Sequence, residues 1–409
     1  MALTGWPERP GLGPPAELVD RLDAVAQRLA RATAALGREV RLDPIAVLTE
    51  RAALAGLSRR GLVSCGGGTR LLRGQDGWLA VSLARASDLT LVPAWLECDA
   101  LPAAPPSPSA DEATWARVAR LVGRRPVAEL DARAALVGLA VGVLPPGSSS
   151  PTAAPAGEGP FAGLPLSAQP YGSATPRGLD GLLVVDLSSL WAGPLCGRIL
   201  ADGGATVVKV ESVGRPDGAR LGPPAFFDLM NAGKASVQVQ LDRPAGVASL
   251  ADLLGRADLV IEASRPRALE QLGLDAAELV GQGPQVWLSI TGYGRQGPGR
   301  DRVAFGDDAA IAGGLAAWRD GQPCFCADAV ADPGAGMVAA TAALEALEAG
   351  GRWLIDVAMV RVAAHLAGPT LDVGRIREVP PPHPAWRGRA RRSGADDARF
   401  LRPREVGRS

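Results

Sequence analysis

Apolar residues recur at helical spacing from the start of the chain. Leu18, Leu22, Val25, Leu29 and Leu36 alternate with Arg and Asp, which predicts a helix over residues 17–36. Asp43 followed by Pro44 is an N-cap with proline at the first helical position, and it opens a predicted second helix over 44–57. Residues 65–68 are a glycine-rich break. Two apolar runs, 69–72 and 78–83, flank Asp76-Gly77 and predict a β-hairpin. Helical patterns follow at 86–97, 111–122 and 127–138, then an apolar strand at 139–144.

Residues 148–178 are mostly Pro, Gly, Ser and Ala, and read as a linker. Beyond them the pattern changes. Apolar runs at 182–187, 206–210, 236–241, 259–262, 286–290 and 353–357 predict buried strands. Helical segments at 192–202, 245–254 and 267–272 lie between them, and an Ala-rich helix at 336–349 precedes the last strand. Strands alternating with helices predict parallel βαβ units, hence an α/β fold with helices on both sheet faces. The expected organisation is a helical segment over 1–62, a smaller α+β domain over 63–147, the linker, a Rossmann-like parallel sheet domain over 179–372, and a Pro/Arg-rich tail over 373–409 without apolar periodicity.

Composition narrows the function. The chain has 409 residues, 47% hydrophobic and 21% charged, with a formal net charge of +0. Such a chain is not disordered, and it carries no overall basic footprint for nucleic acid. No uncharged apolar run reaches the roughly 20 residues of a membrane helix, and no basic-then-apolar leader opens the chain, so no membrane association is expected. Five scattered cysteines make no disulfide framework, and a reducing cytoplasm is the expected location. The chain has two lysines, Lys209 and Lys234, against a background of arginine.

Most familiar chemistries fail on the residues. The glycines make neither a P-loop nor a GxGxxG turn between a strand and a helix. His365 and His383 lie apart from the CxC of Cys324 and Cys326, so no four-ligand metal site is expected. No GxSxG elbow is present, and Cys196 in a helix start reads as a small buried hydrophobe. Carboxylates remain. Asp332, in the run Val-Ala-Asp-Pro-Gly-Ala-Gly of 330–336, is either a helix-start residue favoured by the dipole or a nucleophile among small residues. Asp307-Asp308 is a second acidic pair, expected on a solvated loop.

Five segments add up to a resemblance. They are GLLVVDLSSLWAGPLCGRILADGGATVVKVE (181–211), NAGKASVQVQL (231–241), ADLVIEASRP (257–266), SITGYGRQGP (289–298) and ADPGAGMVAATAALEAL (331–347). In order and spacing, the chain from 179 to about 366 resembles the family III CoA-transferases of the CaiB/BaiF type. The resemblance implies transfer of CoA from an acyl-CoA to a carboxylic acid, through an anhydride and then a CoA thioester on an aspartate, here Asp332. It implies CoA contacts at Leu190, Trp191, Ala192, Lys209, Lys234, Arg265, Gly292 and Tyr293. It implies no permanently bound cofactor, with CoA as a substrate, and a homodimer.

The departures are specific. The family's Asn-Phe-Arg-Pro-Gly is Ala263-Ser264-Arg265-Pro266-Arg267, and Phe305 stands where the racemase branch has its histidine. Segments 70–83, the helix with Trp115 and 136–146 resemble the family's small domain, yet they precede the catalytic half. Two further readings of the same chain are an acyl-CoA racemase or isomerase and a catalytically degenerate acyl-CoA-binding protein.

Overall fold

The computed structural model describes residues 3–99, 110–146, 157–368, 381–385 and 387–401. In chain order, α1 (Ala16–Leu36) and α2 (Pro44–Ala55) lead into a hairpin of β1 (Thr69–Arg73) and β2 (Trp78–Ser82). Then come α3 (Ala86–Leu96), α4 (Glu112–Val122), α5 (Val127–Val137) and β3 (Val141–Val143). The second half holds β4 (Ser167–Gly172), β5 (Leu183–Asp186), α6 (Ala192–Gly203), β6 (Thr206–Ser212), α7 (Pro224–Asn231), β7 (Ala235–Val239), α8 (Pro244–Arg256) and β8 (Leu259–Glu262). It continues with α9 (Pro266–Glu270), α10 (Ala276–Gln282), β9 (Val286–Thr291), α11 (Gly306–Ala312), β10 (Ala316–Arg319), β11 (Gln322–Phe325), α12 (Ala331–Ala349), β12 (Arg352–Ala358), α13 (Met359–Leu366) and α14 (Asp397–Phe400).

Seven strands form one sheet in the order β4-β12-β9-β8-β5-β6-β7, parallel except for β4. Apart from β4 this is the doubly wound order, two βαβ runs that set out from β5 in opposite directions. Successive strand residues face opposite sides. Val184, Ile261 and Leu288 enter one apolar layer, whereas Val185, Val260 and Trp287 enter the other. The first layer holds α1, α6, α12 and α13, and the second holds α8 and α10. The α/β expectation is met.

Helix α12 is nearly all Ala, Gly and Leu, and it is buried around almost its whole circumference, as a helix without a polar face must be. Small residues let it approach α6 closely: a Cβ on Gly336 would lie 2.6 Å from the Ala192 carbonyl oxygen. The smaller unit, β1-β2-β3 with α3, α4 and α5, has its own core around Trp95 and Trp115. It docks through β2 and β3 onto α11.

Three expectations are corrected. Part of the segment read as linker carries β4, which pairs antiparallel with β12, and Phe161, which packs edge-on against Trp353 at 5.1 Å. Its Pro170 is tolerated because β4 is an edge strand. Residues 1–62 are no separate segment, since α1 lies on α12 and shares the sheet's core. The Pro/Arg-rich tail is docked over 387–401. Asp396 accepts from the Ser236 N–H (2.9 Å), Asp397 accepts from the Gln238 N–H (2.8 Å), and Phe400 is buried beside β7. Two carboxylates thus occupy hydrogen-bonding positions that a neighbouring strand would otherwise fill. The rest of that tail and the middle of the linker lie outside the described residues.

Candidate active site

Strand order locates the site. In an open parallel sheet, ligands bind outside the carboxyl ends of the strands, where the winding reverses. Here that point is between β5 and β8, so the loops 187–191 and 263–265 frame the crevice. Leu190, Trp191, Ala192 and Arg265 stand there, brought together from two of the five matched segments.

The turn before α6 is held under strain. Leu190 has φ 69°, a left-handed conformation that costs a bulky residue about 1–3 kcal/mol. Its N–H donates to Asp217 Oδ1 at 3.0 Å. Asp217 is in turn paired with Lys209 Nζ at 2.9 Å, and Lys209 also donates to the Ser188 carbonyl. Lys234 Nζ binds Asp186 Oδ2 (2.8 Å), the Pro194 carbonyl (2.9 Å) and Asn231 Oδ1 (3.1 Å). Burial alone would raise the Asp186 carboxyl, but Lys234 and Lys209 outweigh it and hold it below the usual range. Both lysines are 1% exposed. This corrects the expectation that either contacts CoA: their ammonium groups are engaged internally, shaping the turn that carries Leu190 and Trp191.

Trp191 is buried between Phe226, edge-on at 5.4 Å, and the guanidinium of Arg51, 5.4 Å from its ring centre. Its indole N–H has no hydrogen-bond partner among the described residues. Arg51 comes from α2, in the first half of the chain. Its Nε donates to Asp328 Oδ2 at 2.8 Å and its Nη2 to the other oxygen. Burial opposes the Arg51 charge, but Asp328 outweighs it, with Asp307 and Asp332 adding to the same field.

Asp332 lies in the first turn of α12, not ahead of the helix. Its carboxylate is half-buried and lies close against the backbone of Gly306 at the start of α11. Gly306 is required there, since a Cβ would collide with Asp332 Oδ2 and the Ala329 carbonyl oxygen. Ala327 and Ala329 both take positive φ (56° and 43°), so a strained turn aims Asp328 at Arg51 and delivers the chain to Asp332. Burial pushes the Asp332 carboxyl up to about 7, with Arg51 opposing and Asp307 adding to the rise.

Asp307 and Asp308 are buried on α11, which corrects the solvated-loop expectation. Asp307 accepts from the Ala329 N–H (3.1 Å), and burial with Asp328 raises it to about 6. Asp308 Oδ1 accepts from Ser82 Oγ (2.7 Å) and the Phe305 N–H (3.1 Å), while Oδ2 has no partner among the described residues. Burial raises Asp308 to about 7. The acidic group around Arg51 is therefore assembled from α2, α11 and the turn before α12.

A cleft of about 320 Å³ lies between the smaller unit and the sheet. Arg85, Arg215, Arg265 and Arg267 line it, with Asp301 as their acidic neighbour. Arg85 lies over the Phe305 ring at 5.1 Å, and Phe305 adjoins Gly306 in the chain. Burial, then the charges of Arg267 and Arg215, press Arg265 below the usual guanidinium range. Crowded cations of this kind favour a polyanion.

Other expected residues are placed elsewhere. Tyr293 donates to the Val141 carbonyl at 3.0 Å and lies under Arg302, so it joins the two units instead of facing the crevice. A Cβ on Gly292 would meet Ala304 at 2.8 Å, which gives that glycine a packing role. Cys324, Cys326 and Cys196 are buried thiols that burial raises, and no metal-holding cluster is present among the described residues. No described helix is long and apolar enough to cross a membrane. Sequence reasoning missed Arg51, Asp328 and Gly306, because their roles arise from contacts between distant segments.

Residues 179–393 match the model of CoA-transferase family III. The chain is 35% identical over 183 residues to a succinyl-CoA–D-citramalate CoA-transferase of Chloroflexus aurantiacus, covering 42% of this chain and 46% of that protein. It is 32% identical over 233 residues to a probable fatty acyl-CoA transferase of Mycobacterium tuberculosis, covering 52% and 59%. A crystal structure of that mycobacterial protein is similar with a TM-score of 0.43 at 33% identity, over 47% of this chain and 57% of that one. The chain thus spans about half the length of the curated relatives it matches. A match over more than half of its residues, carrying the aspartate of α12 and the turn before α6, makes the chain a member of CoA-transferase family III.

Proposed function

We propose that this protein transfers CoA from an acyl-CoA to a carboxylic acid, with Asp332 as the nucleophile. The observation that carries the reading is the Asp332 carboxylate: half-buried, packed against the bare α-carbon of Gly306, and in the field of Arg51, whose guanidinium lies on the Trp191 ring. A carboxylate is a weak nucleophile. Fixing it against a bound thioester supplies the effective concentration that the reaction needs.

In this reading, an Asp332 oxygen attacks the thioester carbonyl carbon, the C–S bond breaks and CoA leaves as thiolate. The thiolate attacks the aspartyl carbonyl of the anhydride, releasing the donor acid and leaving a thioester on Asp332. An acceptor carboxylate repeats the two steps in reverse, taking CoA and restoring Asp332. The arginine cleft holds the phosphates of CoA, and Leu190, Trp191 and Ala192 border the path from the cleft to Asp332. In the 66–68 glycine loop the Gly67 N–H is given to the Ser64 carbonyl, and Gly66, next to Arg51, supplies its backbone N–H to the developing oxyanion. A homodimer in a reducing cytoplasm fits the same reading. The racemase reading lacks a base, since Phe305 occupies that place under Arg85.

Intact-protein mass spectrometry tests this. The chain is incubated with a panel of acyl-CoAs, including succinyl-CoA, and quenched with hydroxylamine or borohydride. A mass change mapped to Asp332 and missing in Asp332→Ala is the expected result. Binding of CoA without any adduct would replace the transferase by an acyl-CoA-binding protein, and solvent deuterium entering the α-carbon would replace it by a racemase.

A further inference from the structure

The guanidinium of Arg51 is used on one side only. Nε and Nη2 grip Asp328, which is fully buried, while the Arg51 side chain keeps 29% of its surface exposed. Nη1 has no hydrogen-bond partner among the described residues. The plane is fixed by the Trp191 ring on its face and by the fork to Asp328. Beside it the 66–68 loop presents Gly66, whose absent Cβ would lie 3.4 Å from Nη2 and 3.8 Å from Nη1, so no side chain stands against the guanidinium on that side. The groups that face this cation are Asp328, Asp307 and Asp332, of which Asp328 alone is hydrogen-bonded to it.

We infer that the Nη1 edge of Arg51 docks the carboxylate of the acceptor acid. The inference rests on the transferase reading and adds the group that recognises the second substrate. The reaction has to bring an anion up to an aspartate, and a cation with an unused, pre-aimed donor is the group that can do it. Charge also sets the order of events. While Asp332 is ionised, its negative charge lies in the field of Arg51 and repels an incoming carboxylate. Once Asp332 carries CoA as a thioester, that charge is gone and the free edge faces a neutral group. The acceptor is therefore admitted after the aspartate is loaded. One oxygen of the acceptor rests on Nη1, and the other attacks the aspartyl carbonyl.

The two half-reactions separate the inference from the reading beneath it. The full chain is loaded with succinyl-CoA, and the Asp332 adduct is isolated and discharged with ¹⁴C-succinate. Arg51→Lys keeps a charge for Asp328 but gives up the planar fork. The double variant R51Q/D328N removes both charges, so no buried ion is left unpaired. In each variant, succinate-dependent discharge is expected to slow at least tenfold more than adduct formation, with a matching rise in the succinate KM. A loss that only weakened the fold would lower both steps together. Equal slowing of the two steps, or an unchanged succinate KM, overturns the assignment of Arg51 and leaves the transferase reading standing. Failure of the wild-type chain to form an adduct with any donor overturns both.

Discussion

Gly306 sits against Asp332 so tightly that the smallest possible side chain on it would strike the carboxylate. Its bare α-carbon is what lets the carboxylate sit against the start of α11. Gly306→Ala should displace Asp332 and slow adduct formation at least 100-fold, while the melting temperature falls by several degrees, because the Ala329 carbonyl is struck as well. Adduct formation within threefold of wild type would show that Asp332 tolerates a different position.

The pH dependence follows from the raised Asp332 carboxyl. The nucleophile is the ionised form, and burial places its titration at about 7. Adduct formation should therefore rise from pH 5.5 to 8 with a midpoint near 7. Stopped-flow or quench rates across that range check it. A midpoint near 4, the range of an ordinary carboxyl, would mean that the group is solvated in the working enzyme.

Asp308 pulls stability in the other direction. Its folded-state titration is raised to about 7, so between the ordinary carboxyl range and that value the folded state holds more protons than the unfolded one. Stability is lost as pH rises through that window. Asp308→Asn keeps an acceptor for Ser82 and the Phe305 N–H and cannot ionise. It should stabilise the chain by about 1–3 kcal/mol at pH 8 and have little effect at pH 5. Denaturant titrations at the two pH values decide it, and an equal effect at both would exclude the ionised acid as the cause.

Lysines and arginines should separate cleanly. Lys234→Met leaves Asp186 buried without its partner and should cost about 3–5 kcal/mol. Arg267 lies on the exposed wall of the cleft, so Arg267→Gln should leave stability within about 0.5 kcal/mol. It should weaken CoA binding several-fold and flatten its salt dependence. Calorimetric binding with melting curves measures both, and CoA affinity untouched in Arg267→Gln would move the phosphates out of the cleft.

Trp191→Phe offers a finer test. The indole N–H has no partner among the described residues, so its removal forfeits no hydrogen bond, and the smaller buried ring should cost only about 1–2 kcal/mol of packing against Phe226 and Arg51. A raised KM for the acyl-CoA with a stability loss no larger than that is expected. A larger loss would mean that the N–H is satisfied within the protein.

Much of the sheet was legible in advance, because parallel strands buried on both faces read as unbroken apolar runs, as at 182–187 and 259–262. Strand β4 was not, since it is mostly exposed and interrupted by Pro170, and nothing in its pattern says that β12 lies beside it. The hairpin of β10 and β11 went unread despite Asp320-Gly321 at its turn, because each arm is four residues long. Asp332 emerged from its motif, whereas its setting did not. Arg51 is 281 positions away, in an amphipathic helix where an arginine ordinarily faces water. The lysines misled for a physical reason: composition marks them as unusual, but the need for a compact ammonium was internal, in packed ion pairs with Asp186 and Asp217.

The aspartates that cover β7 bear on how the chain behaves in concentrated solution. Ser236 and Gln238 offer outward-pointing N–H groups on an edge strand, and Asp396 and Asp397 occupy them with charge. Cutting the chain ahead of residue 387 would strip that cover and uncover the apolar site of Phe400 with it. The exposed border would then be a template for strand addition by another molecule, so the trimmed protein should clump where the intact one stays dispersed.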